Sequence, residues 1–229
     1  MNLSKYFKLS NPLKVMILNQ GFGANETPFY KTLGMKGHNG WDLKAKKGTV
    51  AMACFSGTAV VVGTDLTGGK EIRIRSEEKI VGGKRYRLEA VYYHLDSFKC
   101  KVGAKVEPGL VIGLTGNSGK YTTGAHLHFG LKLEWSDSAN GEWLKDRTNG
   151  YFGAIDPAPF LPHEFPVDGR YGKLRSIKGE ILVRFNPFVT RKLKRAPTKR
   201  ELNALVYGNW DIEAILRPEM FAAWVVKVK

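Results

Sequence analysis

Cysteine is scarce in this chain of 229 residues, which contains only Cys54 and Cys100. The two are far apart and form no C-x-x-C pair, so the sequence excludes a zinc module built on cysteine ligands. Free cysteine is among the residue types most often found buried. We therefore expect two buried thiols rather than a disulfide.

Long apolar runs are also missing. The run Met220–Val226 is far shorter than the roughly 20 residues that a membrane-spanning helix needs. The first 20 residues contain lysines but no uninterrupted apolar stretch and no small-residue cleavage site. We expect the protein to be synthesised in the cytoplasm without a classical signal peptide.

Acidic residues are few beside the basic ones, 21 against 36, and the formal net charge is +15. Such an excess suits an anionic partner: a nucleic acid, a membrane surface or a bacterial wall polymer. The basic residues are spread along the chain without a nucleic-acid-binding motif, so we expect no nucleic acid partner. The rival hypothesis, a basic nucleic-acid-binding barrel with incidental histidines, predicts no bound metal and strongly salt-dependent binding.

The sequence before residue 134 has the pattern of β-structure. Short runs rich in Val, Ile and Tyr alternate with glycine-containing turns, and hydrophobic residues make up 43% of the chain. These runs are Ala59–Val62, Ile72–Ile74, Leu88–Tyr93 and Leu110–Leu114. They predict a mainly β fold with an antiparallel sheet, barrel-like or sandwich-like, and a small, partly helical C-terminal region.

Changes in composition divide the chain into three parts: a domain at 1–162, a basic linker at 163–197 and a helical tail at 198–229. The prolines of Asp156–Pro162 cannot extend a strand ladder and mark the exit from the first part. Within the linker, Lys178–Phe185 is either one more strand or unstructured connection.

The tail has its own signals. Thr198–Glu201 fits a capping box that begins a helix, Asp211 can cap a second helix at 212–216, and Pro218 can begin a third. The densest basic run, RKLKRAPTKR, lies at 191–200. Two interpretations remain open: the tail packs against the first domain, or it binds an anionic wall polymer or membrane surface.

Four of the five histidines fall in three short stretches. In a strand, residues i and i+2 share a face, so we expect His126 and His128 to point to the same side. Either both bind one metal ion, or one binds the metal while the other serves a bound substrate or water. His38 and Asp42 can converge on a metal after a turn. Each pattern alone also fits a solvated surface. Two His and one Asp are a ligand set of hydrolytic zinc sites, and two histidines are left for acid–base chemistry.

Taken together, these stretches resemble the lysostaphin-type (LytM-like) zinc endopeptidases. The resemblance rests on the order and spacing of H-x-x-x-D at His38–Asp42, Tyr-x-His-Leu at Tyr92–Leu95 and the run Gly116–Phe129, GNSGKYTTGAHLHF. It covers about residues 15–162. Shorter similarities occur at Asn19–Gly23, Val102–Val106 and Ile155–Pro157.

The resemblance implies a role for each matching residue. It implies that Zn²⁺ is bound by His38, Asp42 and His128, and that His94 and His126 are catalytic residues beside the substrate carbonyl. Asn117 stands where the family has a polar residue near the substrate. Tyr30 is the nearest candidate for the family's intermediate-stabilising tyrosine, although its spacing departs from the pattern. His163–Val167 lacks the second histidine of H-E-x-x-H and is assigned to the linker.

The activity that the resemblance implies is zinc-dependent hydrolysis of the peptide stems or cross-bridges of bacterial peptidoglycan. A phage or prophage lysis enzyme, or an enzyme carried by a virion, would bring a chain without an export signal to the wall. The alternative is a non-enzymatic cell-wall-binding or activator protein of the same fold. Such relatives typically lack some metal ligands, whereas all five motif residues are present here.

Overall fold

The structure, a computed structural model, describes residues 2–25 and 28–161, together with three short strands beyond them. The chain falls into two compact units, Met1–Pro166 and Val167–Lys229. In the described part, no helix combines the length and apolar character needed to cross a bilayer. The division of the chain at 162 and 197 stays a prediction.

Strands build the first unit. They are β1 (Ile17–Gln20), β2 (Trp41–Lys44), β3 (Val50–Met52), β4 (Gly57–Asp65), β5 (Gly69–Ser76), β6 (Lys79–Val81), β7 (Lys84–Phe98), β8 (Lys105–Val106), β9 (Val111–Thr115), β10 (His126–Ser136) and β11 (Ala154–Ile155). Among the described residues of this unit, the helical elements are short: α1 (Phe29–Thr32) and two 3₁₀ turns, Leu3–Lys5 and Ala158–Phe160. The predicted mainly β fold is confirmed, as are the four predicted strands.

The sheet runs in the order β1-β2-β10-β7-β5-β4-β8, and every pairing along it is antiparallel. The long strand β7 pairs with β10 and β5 through its middle and with β9 near its end. It also pairs with β6, while β9 pairs with β3 and β10 with β11. The strands β2, β10 and β7 are therefore direct neighbours in the sheet.

The two faces of β10 differ in character. Leu127, Phe129 and Leu131 are fully buried in the hydrophobic core, where the Phe129 ring meets the Tyr92 ring edge-on at 5.4 Å. The intervening positions point to the opposite face and include His126 and His128. Because side chains alternate along a strand, one face of this sheet forms the core while the other carries polar groups.

The cysteines form no disulfide. Cys54 is fully buried, and its backbone N–H donates a hydrogen bond to Tyr92 Oη at 3.1 Å. Cys100 is only half-buried because it lies in the turn that follows β7. The expectation of free thiols is confirmed, but the expectation of full burial is wrong for Cys100.

The second unit contains β12 (Val167–Asp168), β13 (Glu180–Phe185) and β14 (Ala222–Lys227), and β13 pairs with β14 antiparallel. The strand interpretation of Lys178–Phe185 is confirmed. The helix predicted to begin at Pro218 is wrong over β14, whose sequence AAWVVK is rich in the aromatic and β-branched residues that favour strands. The helices predicted at 198–206 and 212–216, His163 and the basic run at 191–200 lie outside the described residues.

A core substitution tests the assignment of faces on β10. Leu131→Ala removes a fully buried side chain and leaves a cavity, so we expect the free energy of unfolding to fall by about 2–5 kcal/mol. The matched control, Leu66→Ala, truncates a leucine that is 93% exposed and should change it by less than about 0.5 kcal/mol. Urea denaturation measures both, and equal effects would contradict the assignment.

Candidate active site

Strand register brings together residues that are far apart in sequence. In the β2–β10 pairing His128 lies opposite Asp42, and in the β10–β7 pairing it lies opposite Tyr93, directly before His94. His38 precedes β2 in a loop whose backbone is fixed by the His38 N–H, which donates to Ala24 O at 2.8 Å. The five predicted metal-binding and catalytic residues therefore meet on the polar face of the sheet.

Three atoms that can act as metal ligands form the centre of this group. His38 Nε2 lies 3.0 Å from His128 Nδ1 and 3.2 Å from Asp42 Oδ1, and His128 Nδ1 lies 3.0 Å from the same Asp42 oxygen. His38 and His128 are buried, whereas Asp42 is partly exposed. A hydrogen bond between His38 Nε2 and His128 Nδ1 contains only one proton. At least one of these two nitrogens therefore directs a lone pair toward the other.

The protonation of these groups favours cation binding. Burial raises the pKa of Asp42, but hydrogen bonds with His126, His128 and His38 bring it well below its usual value, so the carboxylate is ionised. The other nitrogen of His38, Nδ1, donates to the Gly21 carbonyl oxygen at 3.2 Å. A backbone carbonyl only accepts, so the proton stays on Nδ1 and leaves Nε2 free as a ligand atom.

The donor set fits Zn²⁺. Tetrahedral zinc with bonds of about 2.0–2.1 Å holds its ligand atoms about 3.3 Å apart, close to the three separations between His38, Asp42 and His128. Two imidazoles and one carboxylate are ligands that zinc accepts readily. Three protein ligands also leave a fourth position open, which distinguishes a catalytic site from a structural one.

A bulge in β7 directs His94 toward this centre. Lys70 of β5 pairs with Leu95 and Ile72 with Tyr92, so two residues of β7 face one residue of β5. His94 adopts a left-handed backbone conformation, with φ of +63°. Such strain in a non-glycine residue persists only where surrounding contacts enforce it, and here the His94 N–H donates to Gly68 O at 3.0 Å.

His94 is held in one orientation and one tautomer. Its Nδ1 donates to the carbonyl oxygen of Ser118 at 2.9 Å, which leaves Nε2 without a proton. Burial lowers the pKa of His94 to about 4 and outweighs the hydrogen bond with Ser118, which acts in the opposite direction. The ring is therefore neutral at neutral pH.

His126 also lies beside the ligand group. Its Nδ1 donates to Gly124 O at 2.8 Å, and its Nε2 lies 3.5 Å from Asp42 Oδ1. Burial lowers the pKa of His126, but the hydrogen bond and the charge of Asp42 raise it by more. The ring centroids of His94 and His126 are 4.6 Å apart, so the two imidazoles form a pair beside the three metal-binding atoms.

The two remaining predicted residues lie at the edge of this group. Tyr30 is buried in α1, its ring is 5.8 Å from that of His38, and its hydroxyl donates to Gln20 Oε1 at 2.8 Å. Asn117 is exposed and accepts a hydrogen bond from Thr122 Oγ1 at 2.5 Å. The Thr122 hydroxyl lies 3.5 Å from His126 Nδ1, so Asn117 reaches the site through this threonine.

Sequence reasoning gave Ser118 no role of its own. Its hydroxyl donates to Leu95 O at 2.7 Å and accepts from the Lys70 N–H at 2.9 Å, while its carbonyl orients His94. The serine thus ties the Gly-Asn-Ser-Gly turn to both strands beside the bulge. The signal for it was a serine inside a glycine-rich turn, where a hydroxyl commonly bonds to nearby backbone.

The fold and the donor set define a class: an antiparallel β protein with an open His-Asp-His zinc centre of the hydrolytic type. Residues 36–141 match the sequence profile described as Peptidase family M23. Glycyl-glycine endopeptidase ALE-1 of Staphylococcus capitis is 33% identical over 145 residues, which are 62% of this chain and 33% of ALE-1. Lysostaphin of Staphylococcus simulans is 33% identical over 143 residues, 62% of this chain and 24% of lysostaphin.

Among solved structures, LytU is 30% identical in sequence, with 67% of this chain and 89% of the LytU chain covered at a TM-score of 0.47. The chain spans about a third or less of the length of the curated relatives it matches. The range that matches the family profile, 36–141, contains all five residues of the site. Residues 36–141 therefore carry the sequence pattern of peptidase family M23.

Gly40 gives a test of the metal centre. A Cβ added there would lie 2.8 Å from His128 Nε2 and 2.7 Å from Phe129 O, so Gly40→Ala must displace the ligand ring. We expect zinc affinity to fall by about 10–100-fold, as when the support of a metal ligand is lost. Competition with a chromophoric chelator measures this affinity.

The control is Gly63→Ala in β4, where an added Cβ meets nothing within 4 Å. This variant should bind zinc as the unchanged protein does. Wild-type zinc affinity in Gly40→Ala would show that the His128 ring is not held where the structure has it.

Proposed function

We propose that the protein is a zinc-dependent endopeptidase that hydrolyses peptide stems or cross-bridges of bacterial peptidoglycan. The observation that carries the proposal is the convergence of His38 Nε2, Asp42 Oδ1 and His128 Nδ1 within 3.2 Å of one another, beside the paired rings of His94 and His126. The match of residues 36–141 to peptidase family M23 and the similarity to a protein named glycyl-glycine endopeptidase support the same chemistry.

The metal and the histidines have separate tasks in this proposal. His38, Asp42 and His128 hold Zn²⁺, which when bound acts as a Lewis acid that polarises a carbonyl and makes water more acidic. The sequence contains no H-E-x-x-H motif to supply a glutamate, so histidines carry the proton transfer. His94 and His126 suit it because the unprotonated Nε2 of an imidazole can accept a proton and then release it to a leaving group.

The hydrogen bonds of His94 and His126 define which atom moves a proton. Each ring uses Nδ1 to donate to a backbone carbonyl, that of Ser118 for His94 and that of Gly124 for His126. Nε2 of each ring is then the atom that faces the reacting groups. One ring accepts the proton of the attacking water at Nε2 and passes it to the leaving amine. The other ring, when it carries a proton on Nε2 as well as on Nδ1, stabilises the negative charge on the former carbonyl oxygen.

The charge of the chain agrees with a wall substrate. A net charge of +15 attracts an enzyme to peptidoglycan and to the phosphate-bearing polymers associated with it. We propose that the basic tail contributes through binding to an anionic wall polymer or membrane surface. This part of the proposal rests on the sequence, because the run at 191–200 lies outside the described residues.

Single substitutions separate metal binding from catalysis. His128→Ala should lose both zinc and the clearing of purified peptidoglycan, since a ligand atom is removed. His94→Ala should retain one zinc ion per chain but clear peptidoglycan at least about 100-fold more slowly, since proton transfer typically contributes that much. Metal analysis and turbidity measure the two effects, and mass analysis of released fragments identifies the new amine.

The matched control for these variants is His163→Ala, because His163 is the histidine assigned to the linker. It should retain both zinc and activity. Full activity of either His94→Ala or His128→Ala would contradict the site. Bound zinc with no cleavage of walls of several chemotypes would instead favour the non-enzymatic, wall-binding alternative.

For the biological setting, we propose a phage or prophage lysis enzyme. Production of the protein inside bacteria should leave the culture intact until a pore-forming protein opens the membrane, after which turbidity should fall within minutes. His94→Ala produced with the same pore is the control and should give no such fall. Lysis without the pore would contradict this setting, as would intact cells after pore formation when the purified protein clears walls.

A further inference from the structure

A basic pocket lies on the same face of the sheet as the candidate active site. Arg73, Lys132, Lys145, Arg147 and Phe152 line this cavity of about 270 Å³. Lys132 lies on β10 four residues beyond His128, and alternation places both side chains on one face. The volume is at the lower end for ligand sites, so the pocket accepts one end group rather than a whole ligand.

The buried carboxylates around the pocket are all paired with cations. The buried carboxylate of Glu89 is 3.0 Å from Arg75 Nη2 and 3.3 Å from Lys145 Nζ, and that of Glu134 is 2.5 Å from Lys145 Nζ. Glu71 accepts a hydrogen bond from Arg73 Nε at 2.8 Å. Each buried carboxylate therefore has a cation, as the cost of burying an isolated charge requires.

The cations outnumber these carboxylates. Within the described residues, Lys132 has no carboxylate oxygen within 4 Å, and the same holds for Arg147. Burial, then the charges of Arg73 and Lys145, lower the pKa of Lys132 from its usual value, although the more distant carboxylates of Glu89 and Glu71 act in the opposite direction. A half-buried lysine without an ion pair and beside another cation is the environment that a bound anion would stabilise.

Contacts connect the pocket with the zinc ligands. The ring of Tyr93 is 5.6 Å from that of His128, and its hydroxyl accepts a hydrogen bond from Arg73 Nη2 at 3.2 Å. Four residues of strand separate His128 from Lys132, a distance of about 13 Å. An extended peptide covers that distance in about four residues, so a peptide that runs along β10 from the zinc ligands would reach the pocket.

We propose that the basic pocket is a subsite that binds a carboxylate of the peptide substrate, about four residues from the bond that is cleaved. The inference rests on the proposed peptidase function and adds a rule of specificity to it. Arginine and lysine provide charge-assisted hydrogen bonds to the carboxylate, and Phe152 forms the apolar part of the rim, being 52% exposed.

A pair of peptides tests the subsite. Both carry a stem and a cleavable cross-bridge, one with free stem carboxylates and the other with carboxamides in their place. For the carboxylate peptide, Lys132→Met should raise KM and the calorimetric Kd by about tenfold with kcat unchanged, because binding is lost without loss of chemistry. For the carboxamide peptide, Lys132→Met and the unchanged protein should behave alike.

Two further variants make the result specific. Arg147→Gln changes an exposed residue of the pocket and should reproduce the discrimination if Lys132→Met does not fold. Lys101→Met removes the same charge from an exposed residue that does not line the pocket and should affect neither peptide. Equal effects of Lys132→Met or Arg147→Gln on both peptides, or no effect on either, would overturn the subsite.

The remaining outcomes separate the subsite from the peptidase. Hydrolysis of both peptides by the unchanged protein, without preference for the carboxylate, would overturn the subsite and leave the proposed function intact. If neither peptide is hydrolysed, the proposed function fails and the calorimetric comparison decides the subsite alone. Inorganic phosphate could instead bind in a Lys132-dependent way while both peptides bind equally. The pocket would then be a site for a phosphate of a wall polymer, and the proposal of a carboxylate subsite would be overturned.

Discussion

The register between β2, β10 and β7 is the constraint on which the site depends. His128 is opposite Asp42 on one side of β10 and opposite Tyr93 on the other, so a shift of one residue would turn every side chain of β10 to the opposite face. Such a shift would expose Leu127, Phe129 and Leu131, which are fully buried. The hydrophobic core therefore holds the metal ligands in place, and the stability of the fold and the geometry of the zinc centre have one physical origin.

Local departures from regular structure refine what the register provides. The bulge at His94 adds one residue to β7, and without it the imidazole would not lie 4.6 Å from that of His126. The backbone carbonyls of Ser118 and Gly124 fix the tautomers of these two rings. Orientation and protonation are thus set by main-chain atoms, which side-chain substitutions elsewhere cannot easily disturb.

Much of this was accessible from the sequence. The i, i+2 spacing of His126 and His128 predicted a shared face on a strand, and the resemblance to a known family supplied the distant partners His38 and Asp42. The left-handed backbone conformation of His94 could not be predicted from the sequence, because histidine, unlike glycine, has no preference for that conformation. The helix predicted to begin at Pro218 is wrong at Ala222–Lys227, which is a strand, because the aromatic and β-branched residues there favour a strand more than the proline favours a helix start. The basic pocket was also missed, since charges on alternate strand positions normally indicate a solvated face.

The most direct measurement of the central claim is anomalous diffraction at the zinc absorption edge from crystals of the zinc-loaded protein. We expect one strong peak bounded by His38 Nε2, Asp42 Oδ1 and His128 Nδ1, with each bond about 2.0–2.2 Å long. His94 and His126 should lie beside the metal without coordinating it. A peak at other residues, or none at these three, would contradict the account.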